Sequence, residues 1–147
     1  MRFRMTNDEA WDYIAQSHTG IVTTLRKDGR PITQAVWHVV MDGSVFVQTP
    51  PTTKKLKRIA HDARAYFLVE SGEAWTELRS VSFEARAALV EDGAAALAAI
   101  HAKYAAFEPP LDRLPEAVQR VYSEKVVVRL DPVGRLNSFN NAALVAP

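Results

Sequence analysis

Between Thr52 and Arg58 the chain reads Thr-Thr-Lys-Lys-Leu-Lys-Arg, with four cations in seven positions and Pro50 and Pro51 directly ahead of them. Proline fixes φ and lacks an N–H, so the pair stops a preceding strand and sets the chain to enter a helix, for which Thr52 or Thr53 can serve as N-cap. In such a helix Leu56, Ile59 and Ala60 share one side, while Lys54, Lys55, Lys57 and Arg58 crowd the first turns. The positive end of the helix dipole lies in that first turn, so cations there cost stability until an anion arrives. An arriving anion meets backbone N–H groups, a threonine hydroxyl and ammonium groups together. The chemistry on offer is phosphate binding, and the competing reading is a solvated basic face on a short surface helix.

Beyond this corner no side-chain catalytic set emerges. The histidines, His18, His38, His61 and His101, are scattered without His-Glu-x-x-His or metal-ligand spacing, and no serine sits in a Gly-x-Ser-x-Gly elbow. The absence of cysteine excludes disulfides, thiolate nucleophiles, thiolate-held iron–sulfur clusters and cysteine zinc sites. With 18 basic and 17 acidic residues the formal charge is +1, which gives no global attraction to nucleic acid or to an anionic membrane. The opening Met-Arg-Phe-Arg-Met-Thr-Asn-Asp-Glu has no apolar signal core, and no run approaches the ~18–20 apolar residues that span a bilayer. A soluble, cytoplasmic, single-domain protein over residues 1–147 is expected.

The elements that must position the basic corner follow from periodicity. Thr6 and Glu9 stand at the two positions of a capping box, opening a helix with Ala10, Trp11, Ile14 and Ala15 on one stripe. Gly20 to Leu25, Ile32 to Met41 and Val45 to Thr49 read as strands joined at Asp28-Gly29 and Asp42-Gly43, and two Asp-Gly hairpins in succession predict an antiparallel meander. After the basic helix, Arg64 to Glu70 and a long bent segment, Trp75 to Val90, read as strands. Helices over Ala94 to about Phe107 and Leu114 to Tyr122 follow, and Val126 to Leu130 and Leu136 to Phe139 close the chain as strands. The fold class is mainly β with helices (α+β): an antiparallel sheet of six or seven strands that must curl to cover its apolar face, barrel closure also removing its edges.

Thr53-Lys54-Lys55, the following Leu56, and Asp62 resemble the segment with which the pyridoxamine 5'-phosphate oxidase-like split barrels, the flavin/deazaflavin oxidoreductases, hold a cofactor phosphate. Ala63 stands where that family usually has proline. Gly29-Arg30-Pro31 leading into Ala35-Val36-Trp37 is similar to the family's Gly-x-Pro strand, Arg79 to Ala87 to its Arg-Gln-Val-Arg-Ile-Glu-Gly strand, and Leu136 to Asn141 to its closing Ser-Trp-Asp segment. Ser80 and Ala85 replace the usual glutamine and glycine.

The resemblance implies a split β-barrel with short flanking helices, a homodimer with cofactor sites across the interface, and FMN or the deazaflavin coenzyme F-420 as cofactor. It implies the flavin ring over Ala35, Val36 and Trp37, Gln48 and Thr49 beside the ribityl chain, Thr53, Lys54 and Lys55 on the phosphate, and Arg79 contributed by the second subunit. From the residues alone Trp37 reads equally as barrel packing, and Arg79 as an ion pair with Glu77 or Glu84. Lys57 and Arg58 suit the acidic tail of F-420 and suit solvent equally. A flavin brings its own redox chemistry, which accounts for the missing catalytic set. The expected activity is hydride transfer to or from a small organic substrate. True pyridoxamine-phosphate oxidase activity is not expected, since the family's C-terminal Arg-x-Ser segment is absent after Val126. The alternative is a carrier that binds flavin, haem or a tetrapyrrole on the same barrel without turnover, with His38 or His61 as the axial residue for haem.

Overall fold

The computed structural model describes residues 3–145. Helix α1, Asn7–Gln16, begins as its capping box requires: Thr6 Oγ1 accepts from Glu9 N–H at 3.2 Å and Glu9 Oε2 accepts from Thr6 N–H at 2.7 Å. Strands β1 Gly20–Leu25, β2 Pro31–Val36, β3 His38–Met41 and β4 Ser44–Thr49 follow. Then come α2 Lys54–His61, β5 Arg64–Ser71, β6 Arg79–Val90, α3 Ala94–Tyr104, α4 Glu116–Tyr122, β7 Val126–Pro132, β8 Asn137–Asn140 and α5 Ala142–Val145. At the Asp42-Gly43 turn both residues have positive φ, 51° and 71°, the conformation of a tight hairpin that follows the strand twist.

The eight strands form one antiparallel sheet in the order β2-β1-β5-β6-β7-β4-β3, with β8 paired to β6. The two ends of that order, β2 and β3, are neighbours in the chain, separated only by Trp37. The predicted strand from Ile32 to Met41 is therefore two strands. Its first half pairs with β1 (Val36 opposite Gly20) and its second with β4 (His38 opposite Val47). The chain bends at Trp37 to carry the sheet from one edge to the other, which closes the barrel covalently at its split. This bend alone raises the strand count from the seven read in the sequence to eight. The strand predicted from Trp75 also starts later, because Trp75–Glu77 is a 3₁₀ turn in which the Glu77 carboxylate accepts from Ala74 N–H at 3.2 Å.

Alternate residues of the strands fill the barrel, among them Val22, Val45, Phe67, Val81, Phe83 and Leu130, each no more than 2% exposed. Trp11 of α1 packs against Phe83, with ring centroids 6.1 Å apart. A second apolar cluster lies outside, where Ala96, Ile100 and Tyr104 of α3 cover Val39, Phe46 and Val127. Strand β4 is thus buried on both faces, which explains its unbroken apolar run Val45-Phe46-Val47. No helix among the described residues is long and apolar enough to cross a membrane.

Candidate functional site

Helix α2 leaves strand β4 through Pro50 and Pro51, and Thr53 is its N-cap residue with extended backbone. The Thr53 hydroxyl makes no capping bond; it lies 3.0 Å from the Thr49 hydroxyl at the end of β4. The first turn holds no acidic residue. On the inner side of the helix the buried residues are Lys55 and Ile59, one turn apart, with Leu56 partly covered beside them, whereas Ala60 faces out. The apolar stripe of Leu56, Ile59 and Ala60 is corrected accordingly: Lys55 takes the place of Ala60 because its aliphatic stem packs where the helix meets the sheet.

Lys55 is only 9% exposed, yet it has no hydrogen-bond or ion-pair partner among the described residues. Burial, and then the charge of Arg58, push its pKa below the ordinary lysine value. Lys54 and Lys57 are exposed. Arg58 is committed: its Nε donates to the buried Thr24 hydroxyl at 2.8 Å and its guanidinium reaches Gln34 Oε1 at 3.3 Å, so it pins α2 to β1 and β2.

The bend at Trp37 is held from outside by α3, a role no sequence pattern announces. The Trp37 indole stacks on Tyr104 with centroids 4.5 Å apart and planes within 3°. The Tyr104 hydroxyl accepts from His38 N–H at 2.9 Å and lies 2.7 Å from the His18 carbonyl to which it donates. Next to it, Lys103 Nζ donates to the carbonyls of Ser17, His38 and Ala15 at 2.7, 3.0 and 3.1 Å. Burial lowers the Lys103 pKa to about 8. Residues 103 and 104 thereby satisfy the His38 N–H and carbonyl at the corner together with the Ala15, Ser17 and His18 carbonyls at the end of α1.

Two hollows flank Trp37. One lies over β2 and is lined by Thr19, Ala35, Val36 and Trp37. The other is a cleft of about 620 Å³ between β4 and the 101–125 region, with Trp37, Gln48 and Thr49 on one wall. Thr49 lines this cleft, and its hydroxyl lies 3.0 Å from that of Thr53, the N-cap residue of α2. The structure places Ala35, Val36 and Trp37 at the hollow over β2, Trp37, Gln48 and Thr49 at the cleft, and Thr53, Lys54 and Lys55 at the start of α2 outside both linings, and leaves Arg79 elsewhere. Ala63 carbonyl, just after α2, bonds Ala87 of β6, and Arg79 stands eight residues further back on that strand, about 26 Å away at ~3.3 Å per residue. Arg79 lines a separate hollow with Arg4, Tyr13 and Asn140, and forms no ion pair with Glu77 or Glu84.

His38 is fully buried. Its Nε2 is 2.8 Å from the Ile14 carbonyl, an acceptor only, so Nε2 carries the proton and Nδ1 is left without a partner. A Cβ on Gly20 would come 3.2 Å from that Nδ1 and 2.4 Å from the Phe67 ring, so glycine is required for the histidine and phenylalanine to pack there. Desolvation lowers the His38 pKa to about 4 and keeps the ring neutral. His38 is a packing residue of the barrel. Among the described residues no group of three or more His, Cys, Asp or Glu side chains could hold a metal ion.

The family model described as "Pyridoxamine 5'-phosphate oxidase" matches residues 6–134. No functionally curated protein matches the sequence. Among solved structures, the conserved hypothetical protein Rv2991 from Mycobacterium tuberculosis is 30% identical with a TM-score of 0.81, the match covering 99% of this chain and 91% of that one. A FAD-binding protein from Mesorhizobium loti is 16% identical with a TM-score of 0.69, covering 94% and 97% of the two chains. A protein described as an F-420 reductase is also 16% identical, with a TM-score of 0.65 and coverage of 86% and 94%. At 16% identity the likeness is one of fold.

Proposed function

The chain belongs to the pyridoxamine 5'-phosphate oxidase family, and on that premise we propose that it is an oxidoreductase working with a flavin-type cofactor, FMN or the deazaflavin F-420, on a small organic substrate. The observation that carries this reading is Lys55, a cation 9% exposed beside the first turn of α2 with no acceptor of its own. The Lys55 stem is covered while its Nζ still reaches the surface, so the ammonium is partly desolvated, and a bound phosphate would supply the opposite charge and acceptors at that point. The neighbouring Thr53 hydroxyl, Lys54 and the open N–H groups of the helix fit the same group.

In this reading Lys54 and Lys55 hold the cofactor phosphate. Thr49 and Gln48 line the passage for the linking chain, and the hollow at Ala35, Val36 and Trp37 receives the ring system. Lys103 and Tyr104 keep Trp37 in place, so the platform is rigid before anything binds. The cofactor supplies hydride chemistry, and the protein supplies position, charge and the exclusion of water. The separation of Arg79 from Lys55 within one chain favours a homodimer in which the second copy brings Arg79 to the ring. A carrier that binds the same cofactor without turnover would use the same residues.

The test is an absorbance spectrum of the purified protein followed by parallel fluorescence titrations with FMN and with F-420. Saturable binding of one of them is expected. A folded protein that binds neither would overturn the reading, and binding without turnover of the reduced cofactor by any acceptor would leave the carrier.

A further inference from the structure

Tyr104 is fully buried and Val127 nearly so, but no residue from Ala105 to Lys125 is buried. The stretch consists of two 3₁₀ turns, Ala105–Phe107 and Leu111–Arg113, and α4, with Pro109, Pro110 and Pro115 at the joints and no glycine. Its hydrogen bonds stay local: Leu114 N–H donates to the Leu111 carbonyl at 3.1 Å, Val118 N–H to the Pro115 carbonyl at 2.8 Å and Gln119 Nε2 to the Leu114 carbonyl at 2.7 Å. Among the described residues none of them reaches the barrel, and beyond the C-cap bond of α3 the polar contact with that helix is His101 Nδ1 to Glu108 Oε2 at 3.5 Å. Phe107, Leu111, Val121 and Tyr122 are 61, 45, 47 and 49% exposed, so apolar area that a packed segment would bury stays in water. A region with few buried contacts and no bonds to the rest of the fold opens on its own, without global unfolding. Its two ends, by contrast, are fixed close to each other. Tyr104 holds the Trp37 corner, and Val126 at the start of β7 pairs with Thr49 of β4. The stretch therefore arches over the cleft, with Trp37, Gln48 and Thr49 on the fixed wall and Leu111, Leu114 and Tyr122 on the arching one.

We propose that residues 105–125 are a strap that closes on the Trp37–Thr49 wall over a bound cofactor. Stiffened by its prolines, the strap moves about its ends. Closure over an empty cleft would order the strap for little return. A cofactor chain passing Gln48 and Thr49 gives Leu111, Leu114 and Tyr122 a surface to cover, so the closed form binds it more tightly than the open one and the closed population rises. The motion breaks no hydrogen bond between strap and barrel, since none is made among the described residues. The proposal rests on the function proposed above for the identity of the ligand; the looseness of the strap stands on its own contacts.

The experiment is limited trypsin digestion of the full chain, read by mass spectrometry, without cofactor and with FMN or F-420 at a concentration that saturates the fluorescence titration. Arg113 and Arg120 are exposed cleavage sites within the strap. In the cofactor-free protein both should be cut about tenfold faster than any site in the barrel strands, because cleavage there follows local opening. The cofactor that binds should slow both cuts by about tenfold, with hydrogen exchange over residues 105–125 slowing in parallel. A cofactor held only at the start of α2 and over β2 would stabilise the fold as a whole and leave the locally opened strap as easily cut as before. Leu111→Ser, at an exposed position, should reduce the protection and leave cofactor-free cleavage as in the parent. Saturable binding with unchanged cleavage would overturn the strap and keep the proposed function. Resistance of Arg113 and Arg120 in the cofactor-free protein would also overturn it, and binding of neither cofactor would remove the strap and the proposed function together.

Discussion

Two lysines are held against the barrel, and they differ in what meets the ammonium. Lys103 reaches three backbone carbonyls within 3.1 Å, so its charge is consumed in holding the corner at Trp37. Lys55 is covered along its stem, but its Nζ still reaches the surface and has no protein acceptor among the described residues. Burial lowers the pKa of both, so the pKa alone does not tell a structural cation from a binding one. The inventory of partners does. A satisfied ammonium stabilises the fold, whereas an unsatisfied one costs stability that a ligand can return.

The sharpest way to break this comparison is Lys103→Met, which takes a donor from the Ala15, Ser17 and His38 carbonyls, the last of them still within 2.9 Å of the Tyr104 hydroxyl. It should lower unfolding free energy by about 3–4 kcal/mol in urea denaturation, and a loss below about 1 kcal/mol would make Lys103 no more structural than Lys55. A second large effect comes from the other buried titratable group of the same corner. Because the His38 pKa is about 4 in the fold and about 6.5 unfolded, the unfolded chain binds the extra proton first as pH falls. Stability should be fully present above pH 6.5 and decline from there towards pH 4, by up to about 3 kcal/mol. His38→Gln should flatten that part of the urea-midpoint profile against pH.

For the unsatisfied lysine the expectation is reversed. Lys55→Ala should weaken FMN or F-420 binding by about 1.5–3 kcal/mol and leave the thermal midpoint of the cofactor-free protein unchanged or slightly raised. Equal dissociation constants for mutant and parent would remove the phosphate assignment. Arg58 lies between the two cases, being bonded to Thr24 and Gln34 yet next to Lys55. Arg58→Ala should cost about 1–2 kcal/mol of stability, with the loss traced to α2 by faster hydrogen exchange over residues 54–61. The smallest effect belongs to exposed Lys57: Lys57→Ala should weaken F-420 binding by less than about 1 kcal/mol and leave FMN binding untouched. An equal effect on both cofactors would place it at the phosphate instead of the tail.

Much of the architecture was legible in local pattern. The capping box at Thr6 and Glu9, the two Asp-Gly hairpins, the Pro-Pro stop before α2 and the alternation along β6 each depend on interactions within a few residues, and each formed where it was expected. The break at Trp37 was not legible, because nothing between Ile32 and Met41 interrupts the strand pattern. The corner exists because the sheet has to close and because Lys103 and Tyr104, 66 residues away in the case of Tyr104, accept and donate the bonds it loses.

The same division runs through the site. Residue types and spacing determined that residues 52–58 concentrate cations and hydroxyls at a helix start, and that no cysteine chemistry competes with them. They also carried the likeness that the family match later extended over residues 6–134. Only the tertiary structure decided which of these cationic side chains is covered. Lys54, Lys55, Lys57 and Arg58 are chemically similar in the chain, and the way α2 lies on β1 and β6 buries Lys55, ties Arg58 to Thr24 and leaves the other two in solvent. The cleft beside Trp37 is likewise a product of packing, since its walls come from β4 and from the 101–125 region and meet only when the barrel is closed. Local sequence can place a charge on a helix, but whether that charge finds an acceptor depends on what the rest of the chain brings to it.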